Sequence, residues 1–409
     1  MKSILLSAYA CHPNRGSEPG VGWNWLRELS KYNEVYVLFY AGQGQKEAVE
    51  EAVSLLPQRA NIHLIPIDVP KFFQNRLYRI RYEIWQIKAY IEAKKIIKWY
   101  KIDLIHQVTI AAWWFTGYYY SLNTKLIWGP ILGGQYIPFN ALSFLRMRDR
   151  FYEVIRTILT RTMIRVSISA RMNFKKAVVV FAGNEPSWKL FNKFRKKKKS
   201  VLLSVTGIQK NALYSKAFKN QNNKIKLLWS GLLIPSKNFG LLFESLKLMP
   251  KNIDCELIVA GEGKLLRYWK QKVNDSKVGD RIKFLGNIPF NEMQELFKYV
   301  DIFVFPSLRE GFPSVLLEAM AKSLPIIAMD LYGTQHFICN NCGILIPVKN
   351  KTQMINDFRD AIIKLCENPE LRYEMGENAR KRVEEYFLWE KRGEMMNEIY
   401  HKVLNKELH

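Results

Sequence analysis

The segment Pro306-Ser307-Leu308-Arg309-Glu310-Gly311-Phe312-Pro313-Ser314-Val315-Leu316-Leu317-Glu318-Ala319-Met320-Ala321 gathers the residues best suited to chemistry. An apolar run, Ile302–Phe305, leads into it and reads as a strand, while Pro313 suits the first turn of a following helix. Ligands of open α/β sheets bind at the carboxyl ends of strands, where such loops sit. The helix start offers unpaired amides and a partial positive charge to an anion. Glu310 in the loop and Glu318 inside the helix can then read hydroxyl groups on either side of a phosphate, because one carboxylate accepts from two hydroxyls at once. Spacing alone would equally fit two surface charges and a turn glycine. The strand, Gly311, Pro313 and the apolar run beyond them favour a binding site.

The elements that must hold these residues follow from patterning. Short β-branched or aromatic runs alternate with helical patterns, as in βαβ units with parallel sheets. Strands are expected at Ser3–Ala8, Val35–Phe39, Ile62–Ile65, Leu104–Gln107, Lys125–Trp128, Ala177–Phe181 and Val201–Ser204. A second series falls at Lys226–Ser230, Cys255–Ala260, Ile282–Leu285, Ile302–Phe305 and Pro325–Ala328. Helices are expected between them, among them Gly22–Lys31, Gly240–Leu248, Asn291–Tyr299 and Ser314–Lys322. The polar stretch Gln209–Lys224 divides the 409 residues into two α/β halves, 1–215 and 216–386, with a terminal helix in 387–409.

The formal net charge of +25 admits phosphorylated substrates, anionic lipid or nucleic acid as partners. No nucleic-acid-binding motif supports the last of these, and none is expected to bind. Phe72–Lys101 mixes Arg76, Arg79, Arg81, Lys88, Lys94, Lys95 and Lys98 with aromatic residues such as Trp85 and Trp99, and Lys193–Lys199 is strongly basic. Both suit an anionic membrane surface, the alternative being solvated faces. Five cysteines, Cys11, Cys255, Cys339, Cys342 and Cys366, are odd in number and point to a reducing cytosol. Cys339-Asn-Asn-Cys342 lacks the second pair of a closed zinc site and reads as a loop with two idle thiols. The apolar start, Ile4 to Cys11, is too short for a signal peptide and reads as a strand. No window offers 18 consecutive apolar residues, so no spanning helix is expected. These features place the chain in the cytoplasm, peripheral at the inner face of the cell membrane.

The Glu310–Ala321 segment resembles glycosyltransferase family 4, the retaining enzymes with a Glu-x7-Glu signature, and Leu324-Pro325-Ile326-Ile327-Ala328 continues the likeness. The resemblance implies a GT-B fold: two Rossmann-like domains with parallel sheets facing across a cleft, and a C-terminal helix crossing back to the first. It implies that Glu310, Gly311, Phe312 and Pro313 contact the donor sugar and that Glu318 holds the ribose. Trp229-Ser230-Gly231-Leu232 through Lys237 is similar to the family's phosphate-cation loop, with Lys237 in the lysine position and Leu232 where an arginine is usual. Ala260-Gly261-Glu262-Gly263 and Phe284-Leu285-Gly286-Asn287-Ile288 match segments near the nucleotide. Gly16-Ser17-Glu18-Pro19-Gly20 stands where the family carries a glycine-rich loop, a bare βα turn being the alternative.

Asp103-Leu104-Ile105-His106-Gln107 and Gly129-Pro130-Ile131-Leu132-Gly133-Gly134 look like acceptor-side loops of one subgroup. His106 would touch the sugar or acceptor, or be a packed, hydrogen-bonded residue; many relatives place the functional histidine where Val108 stands. The catalytic candidates are thus Glu310, Lys237 and His106. The donor-binding candidates are Gly16, Gly20, Gly231, Lys237, Gly261, Asn287, Ile288, Glu310, Gly311, Phe312, Pro313, Ser314 and Glu318. The implied reaction moves a sugar with retention from a UDP- or GDP-type donor to a glycan or polyprenyl-linked acceptor. No cofactor is implied beyond the co-substrate, and Asp301 and Asp330 are isolated, so no metal is expected. The setting implied is bacterial surface polysaccharide assembly. The rival readings are a non-catalytic sugar-nucleotide-binding protein, for which Leu232 and Val108 speak, and, behind it, a basic nucleic-acid-binding protein, for which only the net charge of +25 and the interleaved aromatic residues speak.

Overall fold

The central strands of both sheets are apolar and buried on their two faces, the pattern that parallel sheets covered by helices impose. The computed structural model describes residues 1–74, 78–195, 200–218 and 224–407. The chain divides into two compact units, Met1–Gly134 with Leu159–Gly207 and Trp389–His409, and Gln135–Ile158 with Ile208–Leu388. Residues 135–158, expected with the first half, lie with the second because Ile137, Ala141 and Leu145 are buried in its core.

In the first unit the strands are β1 (Lys2–Ala8), β2 (Asn33–Tyr40), β3 (Ile62–Ile67), β4 (Leu104–Thr109), β5 (Lys125–Ile131), β6 (Val179–Ala182) and β7 (Val201–Leu202). They form one parallel sheet in the order β3-β2-β1-β4-β5-β6-β7. The helix Ser17–Leu29 begins five residues earlier than its apolar pattern suggested, since Pro19 is accommodated in a first turn. The helix Tyr78–Trp99 buries Tyr82, Trp85, Ala89, Ala93 and Ile96, so Trp85, expected at a basic surface, serves the core instead. Lys88, Lys94, Lys98 and Trp99 on the same helix are exposed. Arg76 and Lys196–Lys199 lie outside the described residues.

The last helix, Trp389–Leu404, packs on the first unit. Trp389 meets Trp25 edge to face at 5.3 Å, and Arg392 bonds Ser204. Lys125 Nζ donates to the terminal carbonyls of Val403 and Leu404, both at 3.0 Å, where a cation also complements the helix dipole.

The second unit contains β8 (Ile225–Ser230), β9 (Cys255–Ala260), β10 (Ile282–Gly286), β11 (Ile302–Phe305), β12 (Ile326–Met329) and β13 (Gly343–Ile346). Its parallel sheet runs β10-β9-β8-β11-β12-β13. In each unit the first and fourth strands of the series are neighbours, and the order reverses between them. That reversal opens a crevice at the carboxyl edge of an α/β sheet.

Cys339 and Cys342 are bonded to each other, with Cα atoms 5.2 Å apart, within the span a disulfide bridges. This corrects the expectation of two idle thiols. Cys11, Cys255 and Cys366 are buried and free. No helix among the described residues is long and apolar enough to cross a membrane.

Candidate active site

The reversal point of the second sheet lies between β8 and β11, and the loops that leave these two strands are laced together. Leu308 N and Ser307 Oγ both donate to the carbonyl of Ser236, at 2.8 and 3.2 Å. That lacing fixes Lys237, at the end of the turn Pro235–Lys237, against Glu310. Lys237 Nζ stands 2.5 Å from Glu310 Oε1, an oxygen that Ser307 Oγ also reaches at 2.5 Å. The ammonium lies 5.5 Å from the ring centre of Phe305. The cation and the carboxylate that the sequence named separately therefore form one pair at the crevice.

The pair is held with its two charges matched. Phe312 is fixed edge to face on Phe337 at 4.5 Å, and Pro313 is buried. Gly311 lies close to Gly333, where an added Cβ would come within 3.2 Å of the Gly311 carbonyl. Ser314 opens the helix Ser314–Ala321, whose start has no side-chain cap. The Ser314 and Leu316 amides are already engaged by the Phe312 and Pro313 carbonyls, both at 3.0 Å, so what the start offers an anion is chiefly the positive end of the helix dipole.

Glu318 lies further into that helix and faces a different neighbour. Gln294 Nε2, on the helix Phe290–Tyr299 that follows β10, donates to Glu318 Oε2 at 3.2 Å. Burial pushes the Glu318 carboxyl up to about 7, against the opposing pull of the bonds from Gln294 and Ser314 and of the Lys322 charge. A carboxylate desolvated to this degree gains more than an exposed one from hydroxyl donors that stabilise its charge.

The remaining wall is backbone. Gly231 and Gly261 follow β8 and β9, and Gly286 ends β10, at φ of 152°, 142° and 76°. Gly231 N donates to Ala260 O at 3.0 Å and Gly261 N to Gly286 O at 2.7 Å, so the three turns stack. A Cβ on Gly261 would come within 1.9 Å of the Gly231 carbonyl, which explains the glycine there. Asn287 is exposed and Ile288 half-buried just beyond. Leu232, where a second cation was looked for, is 58% exposed. Among the described residues no group of three His, Cys, Asp or Glu side chains is placed to hold a metal ion.

In the first unit Gly16 is the residue before the helix Ser17–Leu29, and Gly20 is explained by packing, since a Cβ would meet the Arg15 carbonyl at 2.6 Å. His106 is fully buried in β4, with Nδ1 2.6 Å from the Tyr400 hydroxyl and Nε2 2.8 Å from the Gly129 carbonyl. Burial depresses its pKa to about 4, the Gly129 bond opposing. Both nitrogens are engaged within the core, so His106 presents none to a substrate. Of the two readings of His106, the geometry favours the packed, hydrogen-bonded one over the catalytic one.

Two features went unread in the sequence. Glu18 Oε1 accepts from Ala111 N at 2.8 Å, its Oε2 is buried with no partner, and burial raises its carboxyl to about 7. Its signal was its place within Gly16–Gly20, read then only for the glycines. The second is Glu153, which pairs with Arg309 at 3.1 Å and Arg156 at 2.9 Å beside the Glu310 loop. Nothing in the spacing marks that contact, because Glu153 and Arg309 stand far apart in the chain.

Residues 210–382, which carry this site, match the family described as glycosyl transferases group 1. The match lies within the second unit and covers less than half of the chain. It bears out the family 4 resemblance seen in Glu310–Ala321. An uncharacterized glycosyltransferase of Methanocaldococcus jannaschii is 30% identical over 194 residues, 47% of this chain and 51% of the relative. The Escherichia coli UDP-Gal:alpha-D-GlcNAc-diphosphoundecaprenol alpha-1,3-galactosyltransferase is 28% identical over 205 residues, 49% and 51% of the two chains. The chain thus spans about half the length of the curated relatives it matches. Sucrose-phosphate synthase from Thermosynechococcus elongatus superposes with a TM-score of 0.71, covering 99% of this chain and 100% of that one at 17% identity. That likeness shows the fold: two parallel-sheet α/β units of the GT-B glycosyltransferases.

Proposed function

We propose that this glycosyltransferase moves a hexose with retention from a UDP- or GDP-sugar to a hydroxyl of a glycan or polyprenyl-linked glycan, without a metal. The observation that carries the reading is the Lys237–Glu310 pair at the sheet's reversal point, beside an uncapped helix start. The chemical difficulty of the reaction is the charge that builds on the departing diphosphate. Lys237, exchanging Glu310 for the phosphate, and the positive end of the helix Ser314–Ala321 would stabilise it electrostatically. Glu318 would accept from the ribose hydroxyls, and Glu310, released from Lys237, from the donor sugar. Gly231, Gly261, Asn287 and Ile288 would border the nucleotide through backbone.

The E. coli relative's diphosphoundecaprenol acceptor supports a lipid-linked acceptor here, and with it bacterial surface polysaccharide assembly at the cytoplasmic face of the membrane. A second reading, a binder that has lost catalysis, draws on Leu232, an exposed leucine in the place of a phosphate cation. Thermal melts with UDP-, GDP- and ADP-sugars test the donor class, and a panel with no shift would sink both readings. Turnover of the stabilising donor, abolished in Glu310→Ala while nucleoside diphosphate still binds, would separate enzyme from binder.

A further inference from the structure

The helix Met147–Val166 is unbroken for 20 residues, about 30 Å at 1.5 Å per residue. It carries an exposed apolar face that neither the donor site nor the fold uses. Met147, Phe151 and Ile158 form one stripe, with exposures of 75%, 69% and 58%. Tyr152, Leu159 and Val166 form the adjoining stripe, at 63%, 53% and 66%. Apolar surface of this extent on one helix marks an interaction site.

The charges on the same helix are sorted by side. Arg148 and Arg165 are exposed and lie within the apolar face at helical spacing. The two acids, Asp149 and Glu153, point away from it: Asp149 pairs with Lys264 at 3.7 Å, and Glu153 with Arg156 and Arg309. The face therefore offers apolar side chains and cations, and no anion.

We infer that this helix lies in the plane of an anionic lipid surface, with Phe151 and Ile158 sunk among acyl chains and Arg148 and Arg165 at the headgroup phosphates. An in-plane amphipathic helix binds through this combination of apolar area and attraction to anionic lipid. The net charge of +25 favours the same partner. A second copy of the chain is disfavoured, because a two-fold contact through this face would set arginines near arginines. The surface deepens the proposed function by naming what would hold the enzyme beside a lipid-linked acceptor. It does not depend on the donor assignment.

The test is flotation of the full chain with vesicles of phosphatidylcholine alone or mixed with phosphatidylglycerol. The chain should float with the mixed vesicles and not with the neutral ones, and rising salt should weaken the binding. Phe151→Glu with Ile158→Glu should cut binding at least tenfold, and Arg148→Gln with Arg165→Gln should remove most of the preference for anionic lipid. Both variants should keep the wild-type melting temperature and the wild-type shift with UDP, which separates a failure here from a failure of the donor reading. Wild-type chain that stays in solution with the mixed vesicles overturns the proposal. So does undiminished binding by the Phe151→Glu, Ile158→Glu variant, or sedimentation showing a dimer that this variant abolishes in a chain that binds no vesicles.

Discussion

Glu318→Gln should make the protein more stable and a worse nucleotide binder, and the size of each effect follows from the site. The folded carboxyl has its pKa raised from 4.5 to about 7, chiefly by burial. Between these values the unfolded chain has lost a proton that the folded chain keeps, so stability falls as pH rises through the window. At about 1.4 kcal/mol per pKa unit, the penalty at pH 8.5 is roughly 3 kcal/mol, and it is absent below pH 4.5. Glutamine removes the charge, keeps the shape and still offers an oxygen to Gln294. In a unit of roughly 200 residues, where 1 kcal/mol moves the melting temperature by about 2–4 °C, the gain at pH 8.5 is about 6–12 °C.

Binding should move the other way. Hydrogen bonds to a charged group contribute about 1.5–3 kcal/mol, so losing the carboxylate should weaken the favoured nucleoside diphosphate about 10- to 100-fold. Wild-type affinity should climb from pH 6 to pH 8, because the ligand favours the ionised carboxylate. Calorimetric melts at pH 5 and 8.5, with titration of UDP and GDP, measure both effects. A variant that melts lower at both pH values and binds nucleotide as before would refute the reasoning, leaving Glu318 a structural residue.

Two substitutions separate the roles of the other named residues. Lys237→Met should weaken UDP about 10- to 100-fold while leaving uridine binding nearly unchanged, since a charge-assisted bond to phosphate contributes about 1.5–3 kcal/mol; equal losses for UDP and uridine in calorimetric titration would count against a phosphate role. His106→Ala leaves the Tyr400 hydroxyl and the Gly129 carbonyl without partners, which should cost about 3–5 kcal/mol of first-unit stability and leave the UDP-induced shift intact. It should also abolish a loss of wild-type stability as pH falls from 6.5 toward about 4, where the unfolded imidazole takes up a proton that the folded one resists.

The candidate site of the second unit was legible because its residues are local in sequence. Glu310, Gly311, Pro313 and Glu318 fall within nine residues, and the strand, turn and helix they need are written into the same stretch. Lys237 was found by its own loop, although its pairing with Glu310 comes from the adjacency of β8 and β11, which no local pattern encodes. His106 stayed open between two roles because a strand-end histidine looks alike whether it faces solvent or core; its partner Tyr400 is 294 residues away. Trp85 was taken for a surface aromatic because the cations around it hide the period of Tyr82, Trp85, Ala89, Ala93 and Ile96. Strand β13 escaped notice because Gly343–Ile346 is four residues long and begins with glycine. The sorting of charge on Met147–Val166 depends on where Lys264 and Arg309 lie, and only the folded chain supplies that.

The helix Trp389–Leu404 also sets the order in which the protein can be finished during synthesis. Its Trp389, Arg392 and Tyr400 complete the surroundings of Trp25, Ser204 and His106, all made much earlier. A ribosome that has released the first 207 residues has delivered seven strands, yet a buried imidazole still waits for its hydroxyl partner. The second unit, by contrast, takes its last core residues from Met354 to Phe387, all of them made before this helix, and can close first. The unit that emerges first is therefore the one that matures last, and in the interval its unfinished face is what a chaperone would hold.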